Sequence, residues 1–200
     1  MPDLNTTAPE QFHEALKRRN LEGKRALIAD LESKKSDRAY EILVDLLEDE
    51  SWYLRELAVN ALTDAGEKVV PRLYAYMESG LWYTRSAAAR ALGRMQWVDS
   101  LPRLIELLHE ANATVRESAL ASIADLVNAG YAREAAVLLW QLGRRPAEEW
   151  KRAFLSLHPT AGKALAEYLD RPSSFLEAVP VSEEDAASEE PGSEETHARA

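Results

Sequence analysis

The sequence predicts an all-α protein, a solenoid of about five stacked helix pairs followed by an acidic tail. Three observations predict it. A two-segment unit recurs three times at a fixed interval. Each segment has apolar residues at the three- and four-residue steps of a helix. No alternating, β-branched run of strand length occurs, which argues against a sheet.

The repeat is read directly from the chain. Residues 49 to 62 are DESWYLRELAVNAL, residues 79 to 92 are SGLWYTRSAAARAL, and residues 110 to 123 are EANATVRESALASI. Arg55, Arg85 and Arg116 fall in register, 30 and 31 residues apart. AYEILVDLL (39 to 47), VVPRLYAYM (69 to 77) and SLPRLIELL (100 to 108) precede them at matching intervals, and Pro71-Arg72-Leu73 and Pro102-Arg103-Leu104 are also in phase.

Taken in order, a helix near Ala8 to Arg19 and GKRALIADL (23 to 31) form a degenerate first pair. The three full pairs follow. Their first segments carry the bulk of the core, as in Leu43, Leu46 and Leu47 or Leu104, Leu107 and Leu108. Their second segments carry smaller residues on the inward stripe, for example Leu54, Ala58, Ala61 and Leu62, which lets helices approach closely. Glu50-Ser51 and Ser79-Gly80 supply turn and N-cap chemistry, and Gly66 suits the left-handed position that ends a helix. YAREAAVLLWQLG (131 to 143) and AEEWKRAFLSL (147 to 157) keep the pair but lose the arginine register. Thr160 to Leu169 forms a last helix, ended by Pro172. Degenerate ends are expected, because terminal repeats must present a polar outer face.

An acid, an arginine six residues later behind an apolar residue, then small residues and Ala-Leu: this pattern resembles a HEAT repeat of the short prokaryotic kind, which phycobilisome lyase subunits and engineered HEAT-like scaffolds carry. The resemblance is strong from about 36 to 130. It implies a right-handed α-α superhelix in which Asp49, Arg55, Arg85, Glu110 and Arg116 form a structural ladder between adjacent repeats. Asp49 with Arg55 and Glu110 with Arg116 keep both members, whereas Ser79 has replaced the acid ahead of Arg85.

Composition divides the chain into a repeat domain, 1–170, and a tail, 171–200. The tail carries eight acids against Arg171 and Arg199, and few large apolar residues after Val181, so it is expected to be disordered. Phe175, Leu176, Val179 and Val181 could form a short docking anchor within it. The body is close to neutral, with 26 acids and 22 bases, which argues against nonspecific binding to a phosphate backbone. Basic clusters at Lys17-Arg18-Arg19, Lys24-Arg25 and Lys34-Lys35 are interrupted by acids and read as solvated helix faces. There is no cysteine, no apolar h-region at the start and no stretch of membrane-spanning length. A soluble, cytoplasmic protein is expected.

No catalytic constellation is found. His13, His109, His158 and His197 lie far apart and outside any ligand spacing, and there is no phosphate-binding loop or nucleophile elbow. HEAT-type iron hydroxylases carry paired His-Glu motifs, which this sequence lacks. No enzyme activity, metal or cofactor is therefore expected.

The distinctive feature is aromatic. Trp52-Tyr53 and Trp82-Tyr83 occupy the same position in successive repeats, at the turn into the second helix, and should stack about one repeat apart along one ridge; Tyr74, Tyr76 and Trp97 lie nearby. Such residues serve either as packing against the next repeat or as interface anchors. Second helices line the concave face in HEAT solenoids, and their outward positions here are Glu56, Asn60 and Thr63, then Ser86, Arg90 and Arg94, then Glu117, Ala121 and Asp125. That surface is mixed, unlike the cationic groove of HEAT-like DNA glycosylases. The expectation is a non-catalytic scaffold that binds another protein or peptide through Trp52, Tyr53, Glu56, Asn60, Trp82, Tyr83, Arg90 and Arg94. A chromophore-handling lyase or chaperone subunit and a nucleic-acid binder are the alternatives.

Overall fold

The computed structural model describes residues 20–172. The expected helix near Ala8 to Arg19, His13, His197, the Lys17-Arg18-Arg19 cluster and the tail from residue 173 lie outside the described residues. Among the described residues the protein is all α: α1 Leu21–Lys34, α2 Asp37–Asp45, α3 Trp52–Ala61, α4 Val70–Ser79, α5 Trp82–Arg94, α6 Leu101–Leu107, α7 Ala113–Leu126, α8 Ala132–Gln141, α9 Arg144–Leu157 and α10 Pro159–Leu169. Short 3₁₀ turns, Glu67–Val69 and Val98–Ser100, lead into α4 and α6, each of which has proline in its first turn, where no backbone N–H is needed.

Helices pair as the repeat dictates, α2 with α3, α4 with α5 and α6 with α7, while the second helices α1, α3, α5 and α7 pack side by side in series. The inward stripe is register-true: Leu27, Ile28 and Leu31 in α1 correspond to Ala58, Val59 and Leu62, to Ala88, Ala89 and Leu92, and to Ala119, Leu120 and Ile123, all buried. One apolar core runs from Leu27 to Leu169. Small residues bring α5 and α7 close together. A Cβ on Gly93 would stand 2.7 Å from the Ser122 Cα, and the Ser122 hydroxyl donates across the interface to the Ala89 carbonyl at 2.9 Å.

Two details differ from the sequence expectation, although the second helices begin at Trp52 and Trp82, at the expected turns, and at Ala113. The residues ahead of them stay extended, with Asp49 at ψ 140 and Gly80 at ψ 163. Neither Ser51 nor Ser79 caps with its side chain: Ser51 donates its N–H to Asp49 Oδ1 at 2.9 Å, and Ser79 donates back to the Ala75 carbonyl at 2.9 Å. Side-chain caps come instead from Asn20, Ser36 and Asn112. Gly66 is extended (φ −80, ψ −174), because the chain turns earlier, where Ala65 N–H donates to the Leu62 carbonyl. Left-handed backbone occurs at Lys35, Gln96, Gly130 and Gly143.

The C-terminal end is a three-helix cap. α8 packs on α6 as a first helix should, and α9 and α10 both pack on α8 and on each other. α10 also reaches α7 and the kinked turn Val127–Tyr131, where Gly130 leaves the helical conformation, so it, more than α9, continues the row of second helices. A Cβ on Gly162 would lie 2.5 Å from the Leu155 amide nitrogen, the measure of how closely α9 and α10 approach.

Candidate protein-binding groove

The loop ahead of α3 explains the arginine pattern. Arg55 Nη1 donates to the Asp49 carbonyl at 2.6 Å and the Glu50 carbonyl at 2.9 Å, and Arg116 Nη1 does the same to Glu110 at 2.6 Å and Ala111 at 2.8 Å. These guanidinium groups close their own loops, satisfying carbonyls that precede the helix. Burial lowers the pKa of Arg55, with Tyr83 and Asp49 acting in the opposite sense.

The acids of the same pattern are held from the preceding repeat. Asp49 accepts Lys24 Nζ at 2.5 Å, and Glu110 is paired with Arg85. Lys24 lies 31 residues before Arg55 and so occupies the arginine position of the first repeat. Lysine in place of arginine hid this member of the ladder in the sequence, although its spacing was the available signal. In the same register the counterpart of Asp49 and Glu110 for Arg55 is Ser79, which has no carboxylate. The Arg55 guanidinium instead lies 4.6 Å from the Tyr83 ring centroid, an arrangement favoured by the ring's electron-rich face.

That contact forms the floor of a groove across α3, α5 and α7, lined by Trp52, Arg55, Glu56, Val59, Trp82, Tyr83, Ser86, Ala87, Arg90, Thr114 and Ser118. Trp52 is 66% exposed and Trp82 48%. Trp82 meets Tyr83 edge-on, with centroids 5.6 Å apart and planes at 83°. Arg90 forks onto Glu56, with Nη2 2.7 Å from Oε1 and a second bond between the same side chains. This bidentate pair crosses from α5 to α3. Ser86 does not face outward as expected; it is buried, its hydroxyl 2.7 Å from that of Ser118. Thr114 and Ser118 belong to the site by geometry and were not singled out in the sequence, where their short side chains carry no periodic signal.

The structure thus brings Trp52, Glu56, Trp82, Tyr83 and Arg90 together. Tyr53 turns away into a separate hollow with Asn20, Leu21, Glu22 and Arg25. Asn60 is exposed and Arg94 is exposed, and neither lines the groove. Tyr74, Tyr76 and Trp97 pack on the first-helix side. Arg103 lies 4.2 Å over the Tyr74 ring, and burial raises the Tyr74 pKa. Burial pushes Tyr76 up to about 12, opposed by the neighbouring Arg72. His109, itself exposed, is edge-on to Trp150, and the half-buried His158 lies beside Phe154. Among the described residues no three His, Asp or Glu side chains gather as a metal site. No described helix is long and apolar enough to cross a membrane.

Stacked helix pairs with an open groove along their second helices define an α-solenoid repeat protein. The family description HEAT repeats matches residues 40–124 and again 70–158, and the chain belongs to this family. No curated protein matches it individually.

Proposed function

We propose that this chain is a scaffold or adaptor that binds another protein or peptide in the groove across α3, α5 and α7 and itself catalyses no reaction. The observation that carries the reading is the exposure of Trp52 and Trp82, two large rings at one-repeat spacing over a floor already packed and hydrogen-bonded. Tryptophans held in place on a rigid helix start offer contact area at small entropic cost and are favoured anchors of interfaces. Glu56 and Arg90 arrive as a mutually neutralised pair, so a partner need not desolvate a bare charge at the centre.

In this reading Trp52, Trp82, Tyr83, Glu56 and Arg90 contact the partner, with Tyr53, Asn60 and Arg94 at the margins. Asp49, Arg55, Arg85, Glu110 and Arg116 serve the fold by fixing loops and joining repeats. Residues 1–170 act as the repeat domain and 171–200 as an acidic tail, working in the cytoplasm without a cofactor. Membership of the HEAT family supports an interaction role, since stacked helix pairs create extended binding surfaces.

The test is affinity capture from native extract with the wild-type chain and a Trp52→Ala/Trp82→Ala variant, both checked for folding by circular dichroism. A protein retained by the wild type and lost from the folded variant supports the reading. Retention of pigment or nucleic acid, or identical profiles from both baits, overturns it.

A further inference from the structure

Large exposed apolar side chains recur at one place in three successive repeats: Leu21, 55% exposed, then Trp52 at 66%, then Trp82 at 48% with Leu81 beside it at 61%. Leu21, Trp52 and Trp82 are separated by 31 and 30 residues, and each is the first residue of a second helix. They therefore stand in line along one edge of the stack. The row stops at Ala113, the corresponding residue of α7.

Neighbouring packed helices lie about 8–10 Å apart, so the row offers one large apolar group per 8–10 Å. An α-helix returns to the same face every seven residues, about 10.5 Å along its axis, just beyond the upper end of that range. An extended strand returns every two residues, about 6.6–6.8 Å, and falls out of step with the row.

Charge supplies a direction. One turn into each helix from that row, Arg25, Glu56, Ser86 and Glu117 share a register. Glu56 is taken by Arg90 and Ser86 by Ser118. Arg25 and Glu117 are exposed and form no ion pair with another described residue. The register that holds the groove residues Glu56 and Ser86 thus ends, beyond the groove itself, in a cation on α1 in the hollow beside Tyr53 and in a carboxylate on α7.

We propose that the occupant is an amphipathic α-helix of about 20 residues from a partner protein, long enough at 1.5 Å per residue to span the three interhelical steps. Its apolar residues at i, i+7 and i+14 rest on Trp82, Trp52 and Leu21. Its N-terminus lies over Glu117 and its C-terminus over Arg25, the orientation in which the helix dipole and charged end residues complement both. The inference rests on the protein-binding reading above and adds the form, length and polarity of what is bound.

The full chain is panned against a display library of random 20-residue segments. The enriched segments should share apolar residues at seven-residue spacing, bases in the first third and acids in the last, and should gain helicity on binding. Their affinity should fall at least tenfold with Trp52→Ala/Trp82→Ala and also with Leu21→Ser, each variant staying helical with a single cooperative thermal transition. Arg25→Glu/Glu117→Lys should weaken them about fivefold, the scale of exposed ion pairs, and swapping the peptide charges should restore binding. Tryptophan-dependent segments that are proline-rich or alternate in polarity would overturn the helix and leave the protein-binding reading standing. Absence of any tryptophan-dependent segment would overturn both. A Trp52- and Trp82-dependent dimer in sedimentation, or the same dependence in co-sedimentation with phosphatidylcholine vesicles, would assign the row to a second copy or a bilayer and overturn the proposal.

Discussion

At Trp82 the ring stands half in solvent, held edge-on by Tyr83, and Tyr83 is in turn covered by Arg55. The two aromatic residues therefore divide the roles that their shared motif left undecided: Tyr83 forms part of the groove floor and Trp82 is presented above it. Replacing Trp82 with alanine should cost at most about 1 kcal/mol in denaturant unfolding, far below the roughly 3–5 kcal/mol typical of a buried tryptophan. A loss of that larger size would show that the ring is core. Tyr76 gives a second test, through pH. Its folded pKa, pushed up to about 12 by burial, exceeds the value near 10 of an unfolded chain. The phenol's contribution to stability is then fully present below pH 10 and is lost as pH rises toward 12, because the unfolded state releases its proton first. Wild type should lose more stability than Tyr76→Phe between about pH 10 and 12; parallel profiles would contradict the burial effect. The aromatic positions were legible in the sequence from their spacing, but that Trp82 faces water more than Tyr83 was not. That depends on Arg55 covering Tyr83, a contact between repeats which no single repeat encodes.

Helix boundaries and helix contacts follow from short side chains and loop hydrogen bonds. The α5–α7 contact rests on Gly93 against Ser122, where an added Cβ would meet backbone at 2.7 Å. Gly93→Ala should destabilise by about 1–3 kcal/mol, as overpacking does elsewhere. Gly66 is the opposite case: its φ is −80 and nothing lies within 4 Å of the position an added methyl would take, so Gly66→Ala should stabilise by about 0.4–1 kcal/mol through the unfolded chain. Chemical denaturation of both variants checks the pair, and equal effects would show that α5 and α7 approach less closely than this contact requires. The helix pairs from 36 to 130 could be read from periodicity alone. The turns at Glu50-Ser51 and Ser79-Gly80 marked the helix starts as well, but not the loop closure there, in which Arg55 and Arg116 donate to the carbonyls of Asp49 and Glu110. The end cap was illegible for another reason. Beyond Tyr131 the arginine register lapses, and only packing decides that α10, more than α9, extends the row on α7.

Across the whole molecule, ion pairs join neighbouring repeats on both layers. Lys24 holds Asp49, Arg85 holds Glu110 and Arg90 holds Glu56 along the second helices, while Arg72 reaches Asp45 and Arg103 reaches Glu78 along the first. Each links residues about one repeat apart, so the repeats are sewn at their surface over a continuous apolar core. Partly exposed pairs of this kind contribute modestly and are partly screened by salt, so the thermal midpoint should fall modestly between low and physiological ionic strength while unfolding stays a single transition. Separate transitions would mean that the repeats fold as weakly coupled units. This stack gives the groove a rigid floor and places Trp52 and Trp82 at fixed spacing above it. Hydrogen exchange of the full chain, alone and saturated with the protein it captures from extract, tests that groove without altering a residue. Exchange should slow in 50–60, 80–90 and 113–118, with α8 to α10 unchanged; protection confined to α8 to α10, or to the first helices, would contradict a groove built on the two tryptophans.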